Sequence, residues 1–162
     1  MRIFGIDPGS RVTGYGVIDK QGPELGFITC GTIRTGQEEN FSRRLLIIFE
    51  GLSKVIDRHC PDVAAIEDVF VSQNPRSALK LGQARGAAVV AAMQRNLKVY
   101  DYTPRLVKQT VAGYGQADKA QVQHMVRILL ELNSSPSSDA SDALAVAICH
   151  AHHKNNVSGV GF

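Results

Sequence analysis

Apolar residues in the first fifth of the chain alternate with polar ones or fall in short blocks bounded by turn residues, which is the pattern of strands. "RIFGIDP" at 2–8 and "VTGYGVIDK" at 12–20 are two such blocks joined by the turn "DPGSR", and a third covers 24–34. The period then lengthens. From Ser42 to His59, Leu45, Phe49, Leu52 and Ile56 form one helical stripe, which "CPD" ends. "VAAIEDVF" at 63–70 returns to strand, a long helix follows over 76–95, and "LKVYDY" at 97–102 makes a fifth strand. Thr103 and Pro104 read as the cap and first position of a helix that stops near "GYG" at 113–115. Asp118 and Gln121 form a capping-box pair at the next helix, and a last helix runs from Ser138 to His153. The order β-β-β-α-β-α-β-α-α-α predicts an α/β fold. Three antiparallel strands come first, two strands that each follow a helix join them in parallel, and helices cover both faces of the mixed five-stranded sheet. One domain is expected over 1–153, with 154–162 as a flexible, glycine-bearing tail.

Composition changes this picture little. Apolar residues make up 44% of 162, enough for a folded core, and a net charge of +3 permits a nucleic-acid partner without arguing for one. Cys30, Cys60 and Cys149 lack metal-ligand spacing and read as reduced thiols. The chain opens directly into a strand, and no apolar run approaches the roughly 20 residues of a membrane helix, so a soluble cytoplasmic protein is expected.

Four acids stand where acids are costly. Asp7 ends the first apolar strand, Glu67 lies inside the fourth, and Asp139 and Asp142 open the last helix in "SSDASDALAVAICHA". Asp139 and Asp142 are three apart and share a helix face. That helix is apolar nearly all round from Ala143 to Ile148, so it packs deep. Ordinary chemistry explains some of these acids singly: dipole and capping interactions for the helix pair, turn hydrogen bonds for Asp7. Glu67 is harder to explain, because Glu is disfavoured in strands. Side chains alternate across a sheet, so Glu67 shares a face with Val63 and Ala65, and its neighbour Asp68 points the other way. If Asp7 and Glu67 occupy adjacent strands under the last helix, four carboxylates converge. Such a cage repels itself unless cations intervene, and hard oxygen donors suit Mg²⁺, with Mn²⁺ as a substitute. Two such ions about 3.5–4 Å apart are the usual apparatus for phosphodiester hydrolysis.

With these residues in view, the sequence resembles the RuvC Holliday-junction resolvases of bacteria. The resemblance rests on six blocks in order: "GIDPGSRVTGYGVI", "AIEDVF", "SALKLGQARG", "VKQTVAGYG", "QVQHMVR" and "DASDALA". It implies an RNase H-like fold and a divalent-metal endonuclease that cuts two opposed strands of a four-way DNA junction in recombination and repair. It places the catalytic and metal-binding acids at Asp7, Glu67, Asp139 and Asp142, with two metal ions. It also implies a homodimer and cooperation with the RuvA–RuvB branch-migration complex. Asp68 departs from the family, which often has Gln there.

Cations near the acids are expected to contact phosphates. On the third helix Lys108 lies on a polar face with Arg105 and Gln109, which is also how a solvated face looks. Lys119 opens a helix, where a cation opposes the dipole and a nearby phosphate would reverse the sign. Arg76, Lys80 and Arg85 on the long helix are further candidates, and Phe70 could stack on a base or pack in the core. Gly82 and Gly86 on that helix suit close packing, either within the subunit or across a dimer. His150, His152 and His153 are too far along the last helix to join the acids and are expected to form a cationic or frayed end. The alternatives are another RNase H-like nuclease with a different nucleic-acid substrate, an actin-type ATPase, whose chain also opens with "GID", and a junction protein that only binds.

Overall fold

The computed structural model describes residues 1–68 and 74–153. Its elements are β1 (Arg2–Asp7), β2 (Val12–Gln21), β3 (Glu24–Arg34), α1 (Phe41–His59), β4 (Val63–Glu67), α2 (Pro75–Met93), β5 (Lys98–Tyr102), α3 (Pro104–Ala112), α4 (Lys119–Leu129) and α5 (Ser138–His153). The fold is α/β, with the mixed sheet ordered β3-β2-β1-β4-β5. β1 pairs antiparallel with β2, β2 antiparallel with β3, and β4 and β5 continue from β1 in parallel. The fourth strand is shorter than the sequence pattern suggests. It ends at Glu67, although the Asp68 N–H still donates to the Tyr102 carbonyl at 2.8 Å. The expected tail at 154–162 lies outside the described residues.

Local chemistry starts the helices where the sequence proposes. Asn40, Asn74, Thr103 and Asp118 cap α1, α2, α3 and α4, Pro75 and Pro104 occupy first-turn positions, and Asp118 with Gln121 completes a capping box. On one sheet face, Phe4, Ile6, Val17, Ala64 and Ile66 pack against Ile48, Leu52 and Ile56 of α1 and Ala84, Ala88 and Ala91 of α2. On the other, Ile3, Ile18, Ala65 and Tyr102 pack against α5 and the inner faces of α3 and α4.

α5 lies unusually close to the sheet, and glycines make this possible. A Cβ on Gly5 would overlap the Ala143 carbonyl oxygen and approach Ala147; one on Gly14 would overlap the Asp139 carbonyl oxygen; one on Gly16 would strike Leu144. Gly14 is also the cross-strand partner of Asp7. The same contact that seats α5 therefore sets its first turn over the end of β1.

Two expectations are corrected. The far end of α5 is not frayed at His150, which is 1% exposed. Its ring packs against Tyr100 at a tilt of 47° with centroids 4.6 Å apart, and its Nδ1 lies 2.8 Å from the Tyr102 hydroxyl. Gly82 and Gly86 do not serve packing within the subunit, since a Cβ at either would meet nothing within 4 Å. Their helix instead exposes Leu79, Val90 and Met93, at 68%, 57% and 54%. Among the described residues the cysteines are free thiols, and no helix is long and apolar enough to cross a membrane.

Gly14→Ala is expected to destabilise the protein by about 3 kcal/mol, because the added methyl meets backbone, which cannot swing aside. A thermal melt should show Tm lowered by roughly 10 °C; an unchanged Tm would show that α5 can lift without cost.

Candidate active site

Parallel strands carry their ends to the same side of a sheet. Ile6 pairs with Ile66 in the β1–β4 register, so Asp7 and Glu67 follow as neighbours at the two strand ends. Ile3, Gly5 and Asp7 share the face that α5 covers, as do Ala65 and Glu67. α5 brings Asp139 and Asp142 to that edge in its first turns. Asp7, Glu67 and Asp142 line a cavity of about 380 Å³ with Pro104, Val107 and Lys108 of α3, Lys119 and Val122 of α4, and Ala145.

The electrostatics show how tightly the acids are gathered. Burial, then the charges of Glu67, Asp142 and Asp139, push the Asp7 carboxyl up to about 8, against a pull down from Lys119. Glu67 is pushed up to about 7 by burial first and Asp142 second, while Lys119, Lys108 and a hydrogen bond with Asp7 oppose the rise. Lys119 supplies the nearest compensation. Its Nζ lies 2.8 Å from Asp142 Oδ2, and that hydrogen bond holds its own proton more firmly. The ion pair also accounts for a cation placed against the dipole of α4.

The donor set is composed of carboxylate oxygens, partly desolvated and mutually repelling, which is the chemistry of a site for a hard divalent cation. Among the described residues no three ligating side chains close around one point, and Asp142 is engaged by Lys119. Charge and donor type fit a metal; the side-chain arrangement is the one that Lys119 stabilises.

The other candidates are spread more widely. Lys108 lines the cleft. Arg76 and Lys80 are exposed at the start of α2, and the Lys80 ammonium sits 5.7 Å from the centre of the Phe41 ring. Arg85, expected near phosphates, is instead bound by Asp101, with Asp68 Oδ1 4.0 Å from its Nε. Asp68, half exposed on the opposite face, thus has Arg85 as a basic neighbour. Phe70 lies outside the described residues. Asp101 carries no local signal in the sequence, because its pairing with Arg85 depends on β5 lying beside β4.

Comparison with known proteins decides the family. The family model for crossover junction endodeoxyribonuclease RuvC matches residues 3–150. The chain belongs to the RuvC family. It is 56% identical over 156 residues to the RuvC crossover junction endodeoxyribonuclease of Acinetobacter baylyi, spanning 96% of this chain and 86% of that protein. The counterpart from Serratia proteamaculans is also 56% identical, over 96% of this chain and 89% of that one. Among solved structures, Thermus thermophilus RuvC in complex with Holliday junction substrate superposes with a TM-score of 0.89 at 36% identity, covering 95% of this chain and 94% of that one. The yeast mitochondrial resolvase Ydc2, at 12% identity and a TM-score of 0.70, covering 94% of this chain and 78% of that one, shares the fold.

The raised carboxyls predict a pH dependence for the metal-free RuvC fold. Asp7 and Glu67 keep protons when folded at pH values where the unfolded chain has released them. Their contribution is present in acid and is lost as pH rises through the folded-state values. In chelator, Tm should fall between pH 5 and pH 8, and Asp7→Asn should flatten the decline. A Tm that climbs over this range, equally in both proteins, would contradict the assigned burial.

Proposed function

We propose that this chain is a divalent-metal-dependent endonuclease that resolves four-way DNA junctions by cutting two opposed strands symmetrically, in recombination and repair. The observation that carries this reading is the meeting of Asp7, Glu67 and Asp142 in one cleft walled by Lys108 and Lys119. The family and the likeness to a junction-bound relative support the substrate.

Asp7, Glu67, Asp139 and Asp142 would hold two Mg²⁺ ions, with Mn²⁺ able to replace them. When bound, such ions supply an activated water and steady the leaving oxygen. The protein's own part is to gather four carboxylates at one sheet edge and to hold three of them, Asp7, Glu67 and Asp142, in a partly desolvated cleft, where charge acts strongly. Lys108 and Lys119 offer the cleft wall to phosphate oxygens of the cut strand, with Lys119 exchanging its carboxylate partner for a phosphate. Arg76 and Lys80 extend the phosphate contacts along α2, and Phe70 stacks on a base near the crossover. Residues 1–153 act as one nuclease unit.

A junction has two-fold symmetry, and two opposed cuts call for two sites. The exposed apolar face of α2, with Leu79, Val90 and Met93 around Gly82 and Gly86, is suited to pairing two copies about such an axis. The dimer works in the cytoplasm with the RuvA–RuvB branch-migration complex.

Cleavage of a synthetic mobile junction in Mg²⁺, mapped at nucleotide resolution beside linear duplex and RNA, tests the assignment. Asp7→Asn and Glu67→Gln should lose cleavage while still binding the junction. Asp68→Asn should cut at close to the parent rate, because Asp68 faces Arg85 rather than the cleft. Equal loss in Glu67→Gln and Asp68→Asn would show that the faces of β4 are misassigned, and cleavage of RNA or linear duplex in preference would point to a different nuclease. For the dimer, Val90→Glu with Met93→Glu should shift sedimentation from two copies to one with little change in Tm. A parent that sediments as a monomer at micromolar concentration would rule out the α2 pairing.

A further inference from the structure

Of the eleven arginines, four are paired with carboxylates among the described residues, and of the others Arg11 and Arg34 are distinguished by their place in the fold. Arg2, Arg43, Arg85 and Arg95 each have a carboxylate partner. Arg11, in the β1–β2 turn, and Arg34, the last residue of β3, are both exposed, and neither makes an ion pair among the described residues. The β1–β2 turn leaves the strand end that carries Asp7, and Val12 pairs with Arg34, so both lie at the active-site edge of the sheet.

Their position relative to α5 is informative. Val12 and Gly14 share a sheet face, and they pair with Arg34 and Thr32. Gly14 lies directly beneath the Asp139 carbonyl. Arg34 therefore stands on the face that α5 occupies, outward from its first turn on the β3 side. Lys108 and Lys119 line the cleft on the other flank of that turn, where α3 and α4 meet Asp142.

The platform is braced. Thr13, fully buried, donates from its hydroxyl to the Gly9 carbonyl at 2.8 Å. Thr35, 4% exposed, donates its N–H to the Arg11 carbonyl at 3.1 Å and directs its hydroxyl at the Ser10 and Arg11 carbonyls, both at 3.3 Å. Two unneutralised guanidinium groups are thus carried at a fixed edge rather than on a loose loop. A guanidinium without a carboxylate partner is a good match for phosphate oxygens, which it can bind through two parallel N–H donors.

We propose that Arg11 and Arg34 form a second phosphate-binding edge, across the first turn of α5 from Lys108 and Lys119, which holds the DNA backbone on the far side of the cleavage point. This deepens the reading of the cleft as a junction nuclease and rests on it. A strand crossing the acids would then be gripped on both sides.

The test measures junction binding without cleavage, on the Asp7→Asn background. Fluorescence anisotropy of a labelled synthetic four-way junction over a range of KCl gives the dependence of affinity on salt. Arg11→Gln with Arg34→Gln removes four arginines from a dimer and should make the slope of log K against log salt shallower by about 3.6, at roughly 0.9 for each phosphate left without its arginine. Lys54→Gln with Arg58→Gln, exposed on the last turns of α1 at the opposite end of the sheet, should leave the slope at its parent value. A double Arg11, Arg34 variant with the parent slope, or one matched by the α1 control, overturns the proposal. If that double variant does not fold, each single variant should make the dimer's slope shallower by about 1.8, and parent slopes in both overturn it equally. Failure of the Asp7→Asn parent to bind the junction would instead overturn the nuclease reading, so the two failures are distinct.

Discussion

The contact on which this structure depends is backbone against backbone. α5 rests on β1 and β2 where Gly5, Gly14 and Gly16 offer no side chains, and Ala143 and Ala147 keep the helix side equally low. Helices usually stand off a sheet by the thickness of two side-chain layers. Removing much of that thickness has two effects. It buries α5 almost all round, from Ala143 to Ala151, which ties the helix into the larger part of the core on that face. It also fixes the height of the first turn above Asp7, so that the separation of acids on helix and strand is set by hard backbone contact rather than by adjustable side chains.

The second organising feature is a conflict of charge. Proteins seldom bring buried carboxylates together, because each raises the others' affinity for protons. Here Asp7 and Glu67 both feel Asp142, and the opposing cation, Lys119, comes from a helix start where it is itself disfavoured. Two locally unfavourable placements answer each other. The site is strained in charge, and anything that adds positive charge to the cleft relieves it. The Asp68–Arg85–Asp101 group on the other face is a different case: one cation stands between two half-exposed carboxylates, and its bond to Asp101 ties α2 to β5.

Much of this was legible in the sequence because local signals agreed with one another. The caps at Thr103 and Asp118, the strand periods and the helical stripe of α1 lead to the observed elements, and strand alternation alone separates Glu67 from Asp68. What the sequence could not show came from contacts across the fold. His150 reads as one of several terminal histidines, yet Tyr100 and Tyr102 enclose it, and only the β5–α5 packing reveals that. Gly14 and Gly16 read as a strand under weak propensity; their purpose is the helix above them. Arg85 looks like its exposed neighbours on α2 until β5 brings Asp101 to it. The burial stripe of α1 is likewise shifted, since Ile48 is fully buried and Leu45 and Phe49 only partly so.

The seating of α5 also has a temporal meaning. Asp7 and Glu67 belong to the first half of the chain, and Asp139 and Asp142 to its last helix. A chain emerging from the ribosome carries two acids without the other two, and the glycine floor of β1 and β2 lies open until the final helix is made. Synthesis runs from the N-terminus, so docking of α5 is among the last long-range contacts available to the growing chain. Completion of the core and completion of the acid cluster are therefore the same event, and until the last helix is made the glycine floor has nothing to cover it.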